Sequence, residues 1–411
     1  MNTKKDSKSD IRDCVFFSTQ YPYETTLKRE FAILSEHFER VFYFPTSIGT
    51  GIKEPLPDNF ILNTMLADSN SQWKKLSVFQ WIQVLSLYLT SMLAKGNLRS
   101  YVKGWKTYIS IAARNIMWAN KLKKFIQDNK LEHALFYDYW FENATLSIAI
   151  LKKKGIIHKT ISRSHRFDLY DESWNEGKVP FRKFKVKHLD AVFPVAKHGQ
   201  EYFKSKLSHT LRHKIGLFYL GVEMPIDKNP DSKPNAEKLI ISASNTREFK
   251  RVHLIPEILK KVDIPIKWIH FGTGPCDAEI SKNISELPLH IKAELKGFIP
   301  NEEVLKFYSE QHVDLFISLS TSEGLPISMM ESISYGIPVF ACDVCGISDL
   351  VNDDTGGMFD EADNYDTIAE KLKIQLQKNS DKKKIIEFAA EKFDYKKNYT
   401  GFISSVISFF K

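Results

Sequence analysis

Apolar residues gather in short runs along the chain, and polar stretches with helical spacing separate them. In the first half the runs fall at 12–18, 41–44, 134–137, 159–162 and 191–194, with helical patterns at 25–38 and across 70–128. Strand, helix, strand at that spacing predicts parallel α/β units. A second series has strands at 239–243, 266–271, 315–318 and 338–341, with helices over 252–261, 301–310 and 327–335. Between the two series, residues 221–238 are rich in Pro, Asp, Lys and Asn and read as a linker. The pattern predicts an α/β protein of two doubly wound domains, residues 1–225 and 226–395. Extra helices fall in the first domain, and a closing helix at 396–411 is expected to pack back on it. Most of Trp73, Trp81, Trp105 and Trp118 are expected in the core of the 70–128 region.

A length of 411 residues suits two such domains. A composition of 43% hydrophobic and 26% charged residues excludes disorder and collagen-like structure as global descriptions. The net charge of +8 conceals an asymmetry: residues 1–225 hold 35 Lys and Arg against 21 Asp and Glu, and the remainder is acidic. A basic half either faces anionic lipid or a phosphate-bearing acceptor, or is a solvated lysine-rich surface. There is no zinc-finger spacing, heptad-linked basic helix or stacking-aromatic motif, which points away from nucleic acid.

Residues 76–94 carry no charge and lie between Lys75 and Lys95. The stretch is long enough to span a bilayer, but Gln80, Gln83 and several Ser and Thr oppose insertion. It reads as a buried or amphipathic helix, or as one lying on a membrane surface. Four cysteines are too few for a disulfide scaffold, and the Cys342-x-x-Cys345 pair has no partner pair at zinc spacing. The polar start, MNTKKDSKSD, lacks an apolar signal core. The expectation is a cytoplasmic protein, with peripheral contact to the inner face of the plasma membrane as a further possibility.

The strongest chemical signal is Glu323-Gly324-Leu325-Pro326-Ile327-Ser328-Met329-Met330-Glu331, directly after the apolar run LFISLS. Two acids here span the start of a helix, and Pro326 suits a first turn. Gly324 permits close approach of a ligand. Such a helix start offers unpaired N–H groups and a positive dipole end to an anion. Glu323 could then take sugar hydroxyls, and Glu331 both hydroxyls of a ribose. The alternative is that Glu323 caps the helix and Glu331 sits on a solvated face.

This E-x7-E motif resembles the signature of retaining glycosyltransferases of family 4, bacterial surface-polysaccharide type. Lys250-Arg251-Val252-His253-Leu254 is similar to the family's helix start, whose lysine pairs with the donor diphosphate. Gly272-x-Gly274-Pro275 resembles its G-x-G-P loop. Gly297-Phe298-Ile299 resembles the segment whose backbone meets the nucleobase, and Gly336-Ile337-Pro338-Val339 the strand entry that follows. The likeness covers most of residues 236–360. It implies the GT-B architecture, two Rossmann-like domains facing across a cleft. The family's second phosphate-facing arginine is Asn245 here, with Arg247 as the candidate substitute. The implied donor-binding set is Lys250, Arg247, Asn245, Gly272, Gly274, Phe298, Ile299, Gly324, Leu325, Pro326, Ile327 and Glu331.

In the first half, Ser164-His165-Arg166-Phe167-Asp168-Leu169-Tyr170 resembles a segment of the polysaccharide-building subgroup, whose histidine faces the donor sugar. His165 and Glu323 are the implied catalytic residues; a structural histidine is the other reading of His165. Tyr23, Glu24, Arg166 and Asp168 are placed on the acceptor side, although a turn with a helix cap would equally explain Tyr23 and Glu24. Trp140, after Tyr137-Asp138-Tyr139, is expected in the core.

The resemblance implies transfer of a hexose or hexosamine from a nucleoside-diphosphate sugar, expected to be a UDP-sugar, to an acceptor hydroxyl on a lipid-linked glycan. No metal and no cofactor beyond the nucleotide-sugar co-substrate are expected. Two alternatives remain: a nucleotide-sugar epimerase of the same architecture, and a non-catalytic nucleotide-sugar-binding module.

Overall fold

The structure, a computed structural model, describes residues 11–21, 25–50, 55–69, 72–142, 144–226 and 237–411. The chain forms two compact units: Met1–Phe218 with Tyr399–Lys411, and Tyr219–Asn398. The first division precedes the boundary expected at 225.

The first unit is built on six parallel strands: β1 (Asp13–Ser18), β2 (Arg40–Pro45), β3 (Phe60–Leu62), β4 (Leu135–Asp138), β5 (Lys159–Ser164) and β6 (Ala191–Pro194). They lie in the order β3-β2-β1-β4-β5-β6. The second unit repeats the plan with β7 (Lys238–Ala243), β8 (Ile266–Phe271), β9 (Ile291–Leu295), β10 (Leu315–Ser318), β11 (Val339–Cys342) and β12 (Gly356–Phe359). Its order is β12-β11-β10-β7-β8-β9, again all parallel. Both are Rossmann orders, in which the direction of winding reverses between the first and fourth strands. Parallel strands are covered on both faces, which explains the unbroken apolar runs: Cys14, Val15, Phe16 and Phe17 of β1 have no exposed surface.

Helices cover the first sheet. Helix α1 (Val78–Met92) opens with a capping box. Gln80 N donates to Ser77 Oγ, and Ser77 N donates to Gln80 Oε1. Helix α2 (Trp105–Asn129) packs against it. Of Trp73, Trp81, Trp105 and Trp118, most of them expected in the core, only Trp118 is fully buried. Trp105 is half exposed, and Trp73 and Trp81, partly buried, meet edge to face at 6.5 Å.

The chain's last helix, α3 (Tyr395–Phe409), gives its later turns to the first unit. The Arg163 guanidinium lies over the rings of Phe402 at 4.3 Å and Tyr399 at 4.9 Å, and faces Glu30 at 3.6 Å. Tyr137 also donates to Glu30 at 2.8 Å. All five side chains are buried, so the helix closes over a charged pair that must stay matched.

Within the second unit, His270 on β8 has no exposed surface and meets Ser242 of β7 through Nδ1 at 2.8 Å. Burial pushes its pKa down to about 4, with Asp277 and two backbone contacts opposing. Unfolded, the ring titrates near its ordinary value, about 6.5. The folded state therefore binds fewer protons between those values, and stability falls as pH drops through that window. We expect the wild type to lose about 3 kcal/mol more than His270→Asn between pH 7.5 and pH 4 in chemical unfolding of this unit. Equal losses would remove His270 as the cause.

Candidate functional site

Because β7 and β10 are neighbours, the loops that follow them emerge together at the carboxyl edge of the sheet. The Phe249 carbonyl accepts from Thr321 N at 3.0 Å and from the Ser320 and Thr321 hydroxyls at 3.3 and 3.4 Å. One residue further on, Lys250 Nζ reaches Glu323 Oε1 at 2.6 Å, with both side chains largely buried. Ser244, Lys250, Ser318, Glu323 and Ser328 line a small cavity there. This is the switch point of the sheet, where open α/β folds bind ligands.

Helix α4 (Ile327–Ser334) begins at this cavity. Pro326 occupies its N-cap in an extended conformation and supplies no side-chain cap bond. Glu323 is thus not the helix cap, and the first-turn N–H groups are left without a capping side chain. At the other end Gly336 takes φ 78°; its N–H bonds Ile333 O and that of Ile337 bonds Ser332 O. This paired closure stops the helix and turns the chain into β11, which gives Gly336-Ile337-Pro338-Val339 a physical reason.

The neighbouring glycines serve close approach of backbone. A Cβ on Gly272, whose φ is 136°, would fall 1.8 Å from Ser244 O, and one on Gly274 would fall 2.9 Å from Thr246 Oγ1. Gly272 N also bonds Gly297 O at 2.8 Å. The loop is tied by Asp277, which accepts from the Thr246 and Thr273 hydroxyls and from Gly274 N at 3.0 Å. Burial works against the Asp277 carboxylate, yet these bonds hold its pKa below the usual range. Neither Asp277 nor Thr246 was evident from the sequence, because their meeting depends on β7 lying beside β8.

Asn245 and Arg247 are exposed on the loop that carries Lys250, and Phe298 is exposed after Gly297 with Ile299 partly covered. Gly324 and Ile327 are partly exposed, while Leu325 and Pro326 are buried under the loop. Glu331 is not on a solvated face: it is 5% exposed and accepts from Asn301 Nδ2 at 3.1 Å. The two acids of the motif thus have different protein partners, Lys250 for Glu323 and Asn301 for Glu331.

In the first unit, His165 follows β5. Its ring lies 4.0 Å from Trp140 and 4.7 Å from Tyr139, and both ring nitrogens are buried without a hydrogen-bond partner. Burial, aided by Arg163, holds its pKa well below the ordinary value, so the ring is neutral. Trp140 is partly exposed, outside the core expected for it, because it covers His165 and Phe167. Asp168 also differs from expectation. It has no exposed surface and accepts from His165 N at 2.6 Å and Phe141 N at 2.7 Å. Burial lifts its pKa to about 7 against those bonds. Its carboxyl group therefore organises the 164–168 turn and offers no surface to an acceptor. Arg166 is partly exposed, and Tyr23 and Glu24 lie outside the described residues.

Among the described residues, one group could hold a metal ion: ligand atoms of His253, Cys276 and Glu279 lie within 4.8 Å of one another. His253 comes from a short helical turn at Val252–Leu254, and Cys276 and Glu279 from the start of the helix Asp277–Ser285, so the group forms no spacing motif. Cys342 of the C-x-x-C is buried in β11 and Cys345, at φ 50°, is in the turn beyond; neither is in a disulfide.

Residues 223–392 match the family model described as glycosyl transferases group 1. WcaL of Escherichia coli (strain K12), named for a colanic acid biosynthesis glycosyltransferase, is 28% identical over 267 residues, 62% of this chain and 65% of that one. The match thus spans just under two thirds of that relative's length. Among solved structures, the apo form of the lipopolysaccharide outer core galactosyltransferase WaaB superposes with a TM-score of 0.72 at 11% identity, covering 98% of this chain and 100% of that one. Anabaena Alr3699/HepE in complex with UDP and glucose gives a TM-score of 0.65 at 12% identity, covering 97% and 99%. Residues 223–392 thus match the glycosyl transferases group 1 model, and the chain shares the fold of these two solved structures.

Proposed function

We propose that the chain transfers a hexose or hexosamine from a nucleoside-diphosphate sugar, a UDP-sugar, to an acceptor hydroxyl with retention of anomeric configuration. The carrying observation is the Lys250–Glu323 contact at the switch point, beside the uncapped start of α4. Without donor, Glu323 holds the Lys250 ammonium. An incoming diphosphate competes for that cation, and the carboxylate it leaves is free for sugar hydroxyls. As the glycosidic bond breaks, negative charge grows on the leaving diphosphate. Lys250, Arg247 and the first-turn N–H groups of α4 stabilise that charge. Glu331, already fixed by Asn301, takes the ribose. An oxygen of the diphosphate accepts the acceptor's proton, so neither an enzymic nucleophile nor a divalent metal is needed. His165, neutral and with both ring nitrogens unused, is the first unit's candidate for a sugar hydroxyl.

The acceptor is a lipid-linked glycan of surface-polysaccharide assembly. The relative's name, colanic acid biosynthesis, supports this, as does the basic first half, which suits contact with an anionic membrane. The Alr3699/HepE complex with UDP supports the choice of nucleotide.

Calorimetric titration of UDP, GDP and ADP should show binding by UDP, and Lys250→Ala should weaken it roughly 10- to 100-fold through loss of a charge-assisted contact. Unchanged binding by that variant would discard the diphosphate assignment. Glu323→Gln should hold UDP at least as tightly as the wild type, because the carboxylate that competes for Lys250 loses its charge, while turnover falls by about two to three orders of magnitude. Transfer should persist in EDTA, and the product's anomeric coupling constant should match the donor's. Turnover equal to wild type in Glu323→Gln would take the sugar away from that carboxylate.

A further inference from the structure

Helix α1 is apolar on two opposite faces. Val84, Leu87 and Tyr88 are buried against the rest of the first unit. Val78, Phe79, Ile82, Leu85, Leu89 and the following Leu93 point the other way and are exposed, by 79% at Val78 and 73% at Leu93. At 100° per residue these six fall in one sector about 120° wide, a continuous stripe along the helix. Beyond the turn at Gly96, Leu98, Val102 and Trp105, at spacings of four and three, are also exposed. Exposed contiguous apolar surface of this kind marks a contact site.

The charges around it are of one sign. Between Asp68 and Asp128 the chain has ten Lys and Arg and no Asp or Glu. Lys74, Lys75, Lys95, Arg99, Lys103 and Lys106 are exposed at the ends and flanks of the stripe. Among the described residues, none of these six is in an ion pair with an acid. An apolar strip edged by unmatched cations and by Trp73, Trp81 and Trp105 has the composition of a helix that lies in a lipid headgroup layer. No described helix is long and apolar enough to cross a membrane.

We propose that α1 and the 98–105 segment form the surface by which this chain lies on an anionic membrane. The apolar stripe enters the headgroup and acyl boundary, and the surrounding lysines and arginines meet lipid phosphates. The inference rests on the membrane-side placement proposed above and names the surface that makes it. Its residues are separate from those of the donor site. A second copy of the chain is a poorer occupant, because a two-fold contact through this face would set like charges against each other.

The test is flotation of the full chain with phosphatidylcholine vesicles, alone or with about one third phosphatidylglycerol. At low salt the wild type should float with the anionic vesicles, and far less with the zwitterionic ones. V78S/I82S/L89S should lower partition at least roughly tenfold while UDP binding and melting stay as in the wild type. K75Q/K95Q/R99Q, which alters only exposed side chains, should lower it by roughly tenfold or more, as should high salt. Lys250→Ala should float normally, so that failure of the donor assignment and failure of this surface are told apart. The proposal is overturned if the wild type stays unbound at low salt. It is also overturned if the charge variant partitions as the wild type does, or if sedimentation shows a dimer that V78S/I82S/L89S dissolves.

Discussion

Lys250 and Glu323 stand 73 positions apart in the chain, and one short salt bridge joins them. That contact exists because β10 lies against β7, where the sheet's winding reverses. Two loops that would otherwise belong to opposite flanks of the sheet open side by side. The Phe249 carbonyl, bonded to Thr321 and Ser320, clamps the loops together before the charged pair forms. From there the constraint spreads. Gly272 and Gly274 must lack side chains so that the β8 loop can pass under Ser244 and Thr246. Asp277 fastens that crossing. Gly297 ties in the β9 edge, and Asn301 just beyond it reaches Glu331 on α4. Both acids of the motif are held by a residue distant in the chain, Glu323 by Lys250 and Glu331 by Asn301.

The salt bridge also sets the electrostatics of the cavity. A lysine and a glutamate at 2.6 Å largely cancel each other's field in the cavity. The uncapped N-terminus of α4 adds a positive dipole end at the same place. In the proposed reaction a diphosphate meets that cation and helix start, and the glutamate it displaces from the lysine remains beside the sugar. Under that proposal, binding and orientation of the donor are linked through one exchanged ion pair.

Much of this was legible in the amino-acid order. Buried parallel strands announce themselves as apolar runs, and β6, β8 and β10 fall where the runs predicted. The strands that escaped notice lack that signal. β9 reads Ile-Lys-Ala-Glu-Leu, an edge strand whose lysine and glutamate face solvent and pair with charges nearby. β12 opens with two glycines, one of which could not carry a Cβ without striking Val339 O. The helix predicted over 252–261 shortens to Ile255–Leu259, because Arg251 at φ 51° starts the segment with a tight turn. At the site, Glu323, Lys250 and the glycines were visible as residue types, and family resemblance supplied their roles. Their partners were not visible: Asp277, Thr246 and Asn301 acquire their roles only through strand order. In the first unit the uncharged stretch 76–94 was ambiguous for a physical reason. Apolar side chains on both faces of one helix erase the periodicity that a one-sided helix would show.

The central claim is that the switch point of the second sheet receives the donor diphosphate. It is tested most directly by a crystal structure of the chain with UDP bound. The account predicts phosphate oxygens within hydrogen-bond reach of Lys250 Nζ and of the first-turn N–H groups of α4, with the Lys250–Glu323 contact lengthened. Density for the nucleotide elsewhere on the chain, with that salt bridge intact, would contradict it.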